Sequence, residues 1–313
     1  MLRPRSSDEI AKSAQLLLPP VAVRNSPENA AMKTPAFQGD EQCGAMRFAA
    51  LSKPTIAWRG PAMTQHHKVA SHDQWIEARK KLLAKEKEFT RLRDQLSQQR
   101  RDLPWERVEK EYVFDGPDGR QSLAELFDGR SQLIIYHFMF GPDWEAGCPH
   151  CSFWADNFDP IIIHLNQRDT AMIAVSRAPY QKLAAYKRRM GWQFKWVSSL
   201  GTDFNFDYQA SFTAEALAQK DAFYNFTRQD ACSSEREGLS VFFRSADGDV
   251  FHTYSTYARG IDIINTGYNV LDMTPKGRDQ GDRRQFWVRR RDEYAAGTPE
   301  DEVHETLRRR RDT

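Results

Sequence analysis

Apolar and polar residues along this chain of 313 residues follow several spacings, and each spacing predicts its own kind of element. From Trp75 onward apolar residues recur every seventh position, at Leu82, Phe89 and Leu96, with Ala78 and Leu92 filling part of a second seam. Lys85–Lys87 and Arg91–Asp94 supply the opposite, polar face. The spacing predicts one amphipathic helix running to about Arg100, opened by a capping box at Ser71-His72-Asp73-Gln74 and ended by Leu103-Pro104-Trp105. Its charges are mixed in sign, which favours docking on the main domain or on a second copy over docking on a membrane. Further on the period shortens. Gln132–Phe140 is a nearly continuous apolar run, the pattern of a strand buried on both faces, and Ala171–Ser176 is a second. Tyr180–Met190 reads as a helix stopped by Gly191, and Phe194–Val197 as a further short strand.

Shorter signals complete the order. Tyr112-Val113-Phe114 leads into a turn at Gly116-Pro117-Asp118-Gly119, and Ser122–Phe127 predicts a short helix. Leu239–Arg244 and Val250–Tyr254 flank Ser245–Asp249 as a hairpin, and Ile261–Asn265 begins a last helix. Residues 201–238 are aromatic and polar without a clear period. A parallel βαβ half followed by an antiparallel hairpin and a helix makes a three-layer α/β fold with a mixed central sheet, in the thioredoxin-like order.

Composition divides the chain. Residues 1–62 are rich in Ala, Pro and Ser without sustained period and read as a disordered extension, which makes Met63 a candidate start. Residues 63–105 form the helical segment, 106–288 the thioredoxin-like domain and 289–313 a charged, solvated tail. The net charge of +2 argues against a nucleic-acid-binding field over the whole surface, and no stretch has the roughly 20 apolar residues that span a bilayer. Leu16–Val23 is apolar but broken by Pro19 and Pro20, so it does not read as a secretory signal, and a cytoplasmic protein is expected. Only four cysteines occur, Cys43, Cys148, Cys151 and Cys232, too few for a disulfide scaffold at this length.

The chemistry concentrates at Gly147-Cys148-Pro149-His150-Cys151, directly after the strongest strand signal. Two cysteines two residues apart, where a strand gives way to a helix through about Leu165, predict a dithiol at the carboxyl end of a central strand. A Cys148 that caps this helix sits near unpaired backbone N–H groups and the positive end of the helix dipole, which favours thiolate. Cys151, one turn on, is then placed to resolve a mixed disulfide formed at Cys148. His150 adds positive charge when protonated. Glu145 and Asp156 flank the pair as candidate tuning groups, with the same residues also readable as ordinary loop and helix polarity. Arg177, His252 and Arg259 are candidate substrate contacts, and Cys232 a candidate extra thiol. A zinc site normally takes four ligands and no second CxxC occurs, so no metal and no cofactor are expected. The expected partners are a thiol or disulfide substrate, protein or small molecule, and a cellular reductant, with neither nucleic acid nor membrane. The helix over 72–100 is a candidate route to a homo-oligomer.

Several blocks resemble a bacterial thioredoxin-like family that is known as a domain of unknown function. They include Trp75–Lys87, Leu123–Gly129, Tyr136–Trp144, Gly147–Phe158, Val175–Pro179, Arg189–Trp192, Phe251–Gly260 and Leu271–Arg278, and the resemblance covers about residues 68–290. It implies the fold and a candidate redox pair. Val113–Leu126 and Ile134–Phe138 are also similar to the opening of peroxiredoxins, which carry Thr three residues before their reactive cysteine, where this chain has Glu145. Thioredoxins place a cis-proline before the hairpin, where this chain has Gly238-Leu239-Ser240. The Pro-His dipeptide resembles that of strongly oxidising disulfide catalysts. Three functions remain open on this basis: thiol–disulfide exchange, a non-catalytic binding or scaffold role, and thiol peroxidase activity.

Overall fold

The computed structural model describes residues 67–281 and 285–296. The readings of the extension over 1–62, of Met63, of Cys43 and of the tail beyond Ala296 lie outside the described residues. Ser71 caps helix α1 (His72–Arg101) as its sequence predicts, accepting from the Gln74 amide at 3.3 Å while the Gln74 side chain accepts from the Ser71 amide at 3.2 Å. None of the residues of α1 is buried.

Strands β1 (Glu106–Arg107), β2 (Val113–Gly116), β3 (Gly119–Ser122) and β4 (Gln132–His137) come next. The short helix predicted over Ser122–Phe127 is instead the end of β3 followed by a single 3-10 turn, Glu125–Phe127. Helices α2 (Pro149–Ala155) and α3 (Asp159–Asn166) precede β5 (Thr170–Ser176), α4 (Tyr180–Met190) and β6 (Lys195–Ser198). The one helix expected from the Cys pair to Leu165 is thus two. Pro160 lacks the N–H that would continue the ladder, and Pro sits in the first turn of α3, where that N–H is not needed. Residues 201–238 hold α5 (Phe204–Asp207), α6 (Ala214–Ala218) and the small hairpin β7 (Ala222–Tyr224) and β8 (Thr227–Gln229). Then follow β9 (Gly238–Arg244), β10 (Val250–Tyr257), a 3-10 segment (Ala258–Ile264) and α7 (Thr266–Leu271). The last helix therefore starts later than its apolar pattern suggests, because the Asn265 side chain accepts from the Tyr268 amide at 2.9 Å and fixes the N-terminus there.

The eight-stranded sheet runs β1-β10-β9-β4-β5-β6-β2-β3. β4, β5 and β6 are mutually parallel, and β9 is antiparallel to both β4 and β10. The central order β10-β9-β4-β5, with β9 reversed, is the mixed sheet of the thioredoxin-like fold. Parity divides the continuous apolar run of β4 between two cores. Leu133 and Ile135 join Phe114, Phe127, Val197 and Phe242 on one face of the sheet. Tyr136 joins Phe138, Cys148, Cys151, Trp154 and Trp196 on the other. All seven residues of β5 are buried, as expected for a strand with helices on both sides.

The chain after Gln285 departs from the solvated tail expected from Arg289 onward. Val288 is buried, Trp287 packs edge-on against Phe153 of α2 at 5.5 Å, and Arg189 of α4 pairs with Asp292 at 2.6 Å. These charges are spent on partners within the fold.

Candidate active site

The site is assembled where β4 ends. The Cys148 amide donates to the Met139 carbonyl at 3.1 Å, and the Met139 amide donates to Cys151 Sγ at 3.4 Å, so both cysteines are tied back to the chain leaving β4. Cys148 is the N-cap of α2, with extended ψ, and Pro149 opens the helix. Cys151 and Ser152 lie one turn in, and Ser152 Oγ donates to the Cys148 carbonyl at 2.8 Å. Gly147 has to be glycine. A Cβ there would come within 2.7 Å of Phe138 and 2.9 Å of Tyr186, so a side chain would force Cys148 off its position.

Both cysteines are free thiols, and both are buried, Cys148 8% exposed and Cys151 2%. The pair is electrostatically split. A hydrogen bond from Cys151 holds the Cys148 thiol well below the usual range. Burial opposes this, and the side chain and charge of His150 and the Cys151 amide reinforce it. Cys151 is pushed well above the usual range by burial and by Cys148. Burial draws His150 down, but the hydrogen bond to Cys148 and its charge prevail and leave the imidazole raised. The arrangement favours the thiolate of Cys148 and the protonated form of His150, with Cys151 as the protonated donor.

Two further groups, absent from the sequence reading, belong to this cluster. Tyr136 is fully buried, and its hydroxyl makes no conventional hydrogen bond. Burial raises its pKa well above the usual range, and the Cys151 and Glu237 charges add to this. Glu237 immediately precedes β9, whose Gly238 and Leu239 lie opposite His137 and Tyr136. Burial holds its carboxyl up, and the Cys148 charge adds to that, while Arg236 opposes it. Only the unassigned stretch 201–238 announced this region. A single Glu beside Arg236 carries no local pattern, and Tyr136 is hidden within the apolar run of its strand.

The remaining candidates are scattered. Asp156 accepts from Trp192 Nε1 at 2.7 Å and faces Arg291 at 3.6 Å, at the far end of α2. Glu145 is exposed in the loop before the pair. Arg177 is committed to Glu235 at 2.8 Å and stacks over Phe206 at 4.4 Å. Arg259 is exposed and pairs with Asp262. His252 is bridged on one side to Glu106 at 3.3 Å and on the other to Ser255 at 2.7 Å. From Ser255 hydrogen bonds run through Ser240 to buried His137, whose pKa burial lowers to about 4. Cys232 is exposed and its Sγ accepts from Arg236 Nη2 at 3.4 Å. Among the described residues no three His, Cys, Asp or Glu side chains group as metal ligands, and no helix is long and apolar enough to cross a membrane.

The segment after Gln285 closes over this corner. Arg290 donates to the Gly147 carbonyl through Nε at 3.1 Å and Nη2 at 2.9 Å, and to the Tyr186 hydroxyl at 3.0 Å. The His150 side chain is hydrogen-bonded to the Gln285 backbone.

Residues 64–294 match the model of a family described as bacterial protein of unknown function (DUF899). The chain belongs to that family. No curated protein matches it. Among solved structures it is similar to the peroxidoxin BcpB of Mycobacterium tuberculosis, at 11% identity and a TM-score of 0.35, over 52% of this chain and 93% of that one. It is also similar to the mitochondrial 2-Cys peroxiredoxin of Plasmodium falciparum, at 12% identity and a TM-score of 0.32, over 53% and 91%. Peroxiredoxin Q of Xanthomonas campestris gives 16% identity and a TM-score of 0.32, over 54% and 98%.

Proposed function

We propose that this protein is a thiol–disulfide oxidoreductase with Cys148 as nucleophile and Cys151 as resolving thiol. The observation that carries the reading is a pair of free, buried thiols at the start of α2, with Cys148 as its N-cap and Cys151 one turn in, its Sγ accepting from the Met139 amide at 3.4 Å. The opposed directions of their pKa shifts agree with it. The Cys148 thiolate attacks one sulfur of a substrate disulfide, forming a mixed disulfide and releasing the other sulfur as a thiolate. Cys151 then gives up its proton and attacks Cys148 Sγ, releasing the second substrate thiol and leaving the Cys148–Cys151 disulfide. The substrate has gained two electrons and the protein has lost them. A cellular dithiol reductant restores the pair. The reverse sequence oxidises a substrate dithiol.

Glu237 is the group suited to accept the Cys151 proton in the second step. Its carboxyl is raised by burial, and it lies in the electrostatic range of both sulfurs. A general base works best when its pKa approaches the working pH, and burial moves Glu237 in that direction.

The test measures the alkylation rate of Cys148 against pH together with the reduction potential of the pair. A thiolate midpoint well below about 8.5 and a reversible disulfide are expected. An ordinary midpoint, with no disulfide under mild oxidation, ends the proposal. Rapid peroxide consumption with a dithiol donor, in place of disulfide exchange, would move the assignment to a thiol peroxidase.

A further inference from the structure

Helix α1 carries a seam that nothing among the described residues covers. Thirty residues at about 1.5 Å each give a rod about 45 Å long, touching the body mainly at its end, where Arg100 lies 5.4 Å from the Tyr254 ring centre. Trp75, Leu82, Phe89 and Leu96 occupy one heptad position and are 56%, 54%, 65% and 45% exposed. Leu92, at the second seam position, is 60% exposed. Most helical stability in proteins comes from packing an apolar face, and here that face is turned to water.

The charges beside the seam identify what covers it. With Trp75, Leu82, Phe89 and Leu96 at position a, the flanking g positions hold Lys81, Glu88 and Gln95 and the e positions Arg79, Glu86, Arg93 and Arg100. In a parallel pair each g residue faces the e residue five positions on in the other helix. Lys81 then meets Glu86 of the second copy, and Glu88 meets Arg93, both opposite in sign. Turning one helix end for end at full overlap sets Arg79 against Arg93, and Glu86 and Glu88 each against its own counterpart. We propose that α1 pairs in parallel with α1 of a second copy of this chain, as a two-stranded coiled coil. Lys85 and Gln99 are the polar residues of the second seam, and they limit the affinity while leaving the register set by the apolar positions. The Lys85 charge is already met by Glu88 of its own helix at 3.2 Å.

Sedimentation of the full chain in reductant, over a concentration series, reads the association. A concentration-dependent dimer is expected, and Phe89→Lys with Leu96→Lys should make it a monomer. Both side chains are exposed, so the body should keep its folded tryptophan fluorescence. Reversing the g charges, Lys81→Glu with Glu88→Lys, should weaken the dimer by about tenfold or more. Adding Glu86→Lys and Arg93→Glu should then restore it. A chain monomeric up to about 100 µM overturns the proposal, as does a dimer indifferent to the two lysines. Failure of the fourfold charge exchange to restore association overturns the parallel arrangement. None of these outcomes depends on the chemistry of the thiols.

Discussion

At the scale of single residues, two carboxylates beside β9, Glu235 and Glu237, have separate consequences. Glu235 is 1% exposed and is held by Arg177 Nη1 at 2.8 Å and Ser211 Oγ at 2.7 Å. Burial nonetheless lifts its pKa to about 7, above the ordinary 4.5, against the opposing pull of those two partners. The folded state therefore holds this proton more tightly than the unfolded chain does. Its contribution to stability is complete below about 4.5 and declines as pH rises through about 7. In denaturant titrations across that window Glu235→Gln should flatten the decline, and an unchanged slope would show that the shift is not present. Glu237→Gln should leave the first step, read as Cys148 alkylation, largely intact, while a trapped mixed disulfide is resolved about tenfold to a hundredfold more slowly. Equal slowing of both steps would assign Glu237 a role in shaping the site instead. The two carboxylates also mark what was legible at this scale. Cys148, Cys151 and His150 stand out because three chemically distinctive residues fall within four positions. Glu237 and Tyr136 join them only through the pairing of β9 with β4, a contact across about a hundred residues that no local pattern encodes.

Among the elements, the sequence was most readable where apolar runs were long, and least where side-chain charges decide. β4, β5, α4 and the hairpin of β9 and β10 follow from their runs and turn residues. The break at Pro160 follows from a missing N–H, and the apolar pattern that continues through Ile161–Ile163 masks it. The segment after Gln285 misleads in sequence for a different reason. A run rich in Arg, Asp and Glu is normally a solvated face. Here its charges reach carbonyls and carboxylates that belong to other elements, as with Arg290 on Gly147 and Arg189 on Asp292. That placement has a functional consequence. Cys148 is 8% exposed, and Arg290 holds the residue just before it. Arg290→Ala removes two hydrogen bonds to the Gly147 carbonyl and should raise the rate of Cys148 alkylation at a pH where it is fully thiolate. The pH midpoint should move little, because Arg290 is not among the groups that set it. An unaltered rate would mean that the segment does not limit access to the sulfur.

For the molecule as a whole, the charge at Cys148 links redox state to stability. The folded dithiol form stabilises a thiolate, and the disulfide form has none to stabilise. A thermodynamic cycle joins the two: whatever the fold adds to the thiolate, it subtracts from the tendency of the pair to oxidise. The thiolate therefore shifts the balance toward the reduced form, against the usual effect of a cross-link on the unfolded chain. The sign with pH follows from the direction of the shift. A depressed acid contributes fully above its unfolded value and loses that contribution as pH falls through its folded value. Urea titrations of the dithiol and disulfide forms should therefore show a pH-dependent gap in midpoint that moves in favour of the dithiol form as the pH is raised to about 8.5. His150→Gln should reduce that movement, since the imidazole both donates to the Cys148 sulfur and carries charge beside it. A difference in midpoint between the two forms that does not change with pH would mean that the fold spends nothing on the Cys148 thiolate, and the case for thiol–disulfide exchange at this corner would go with it.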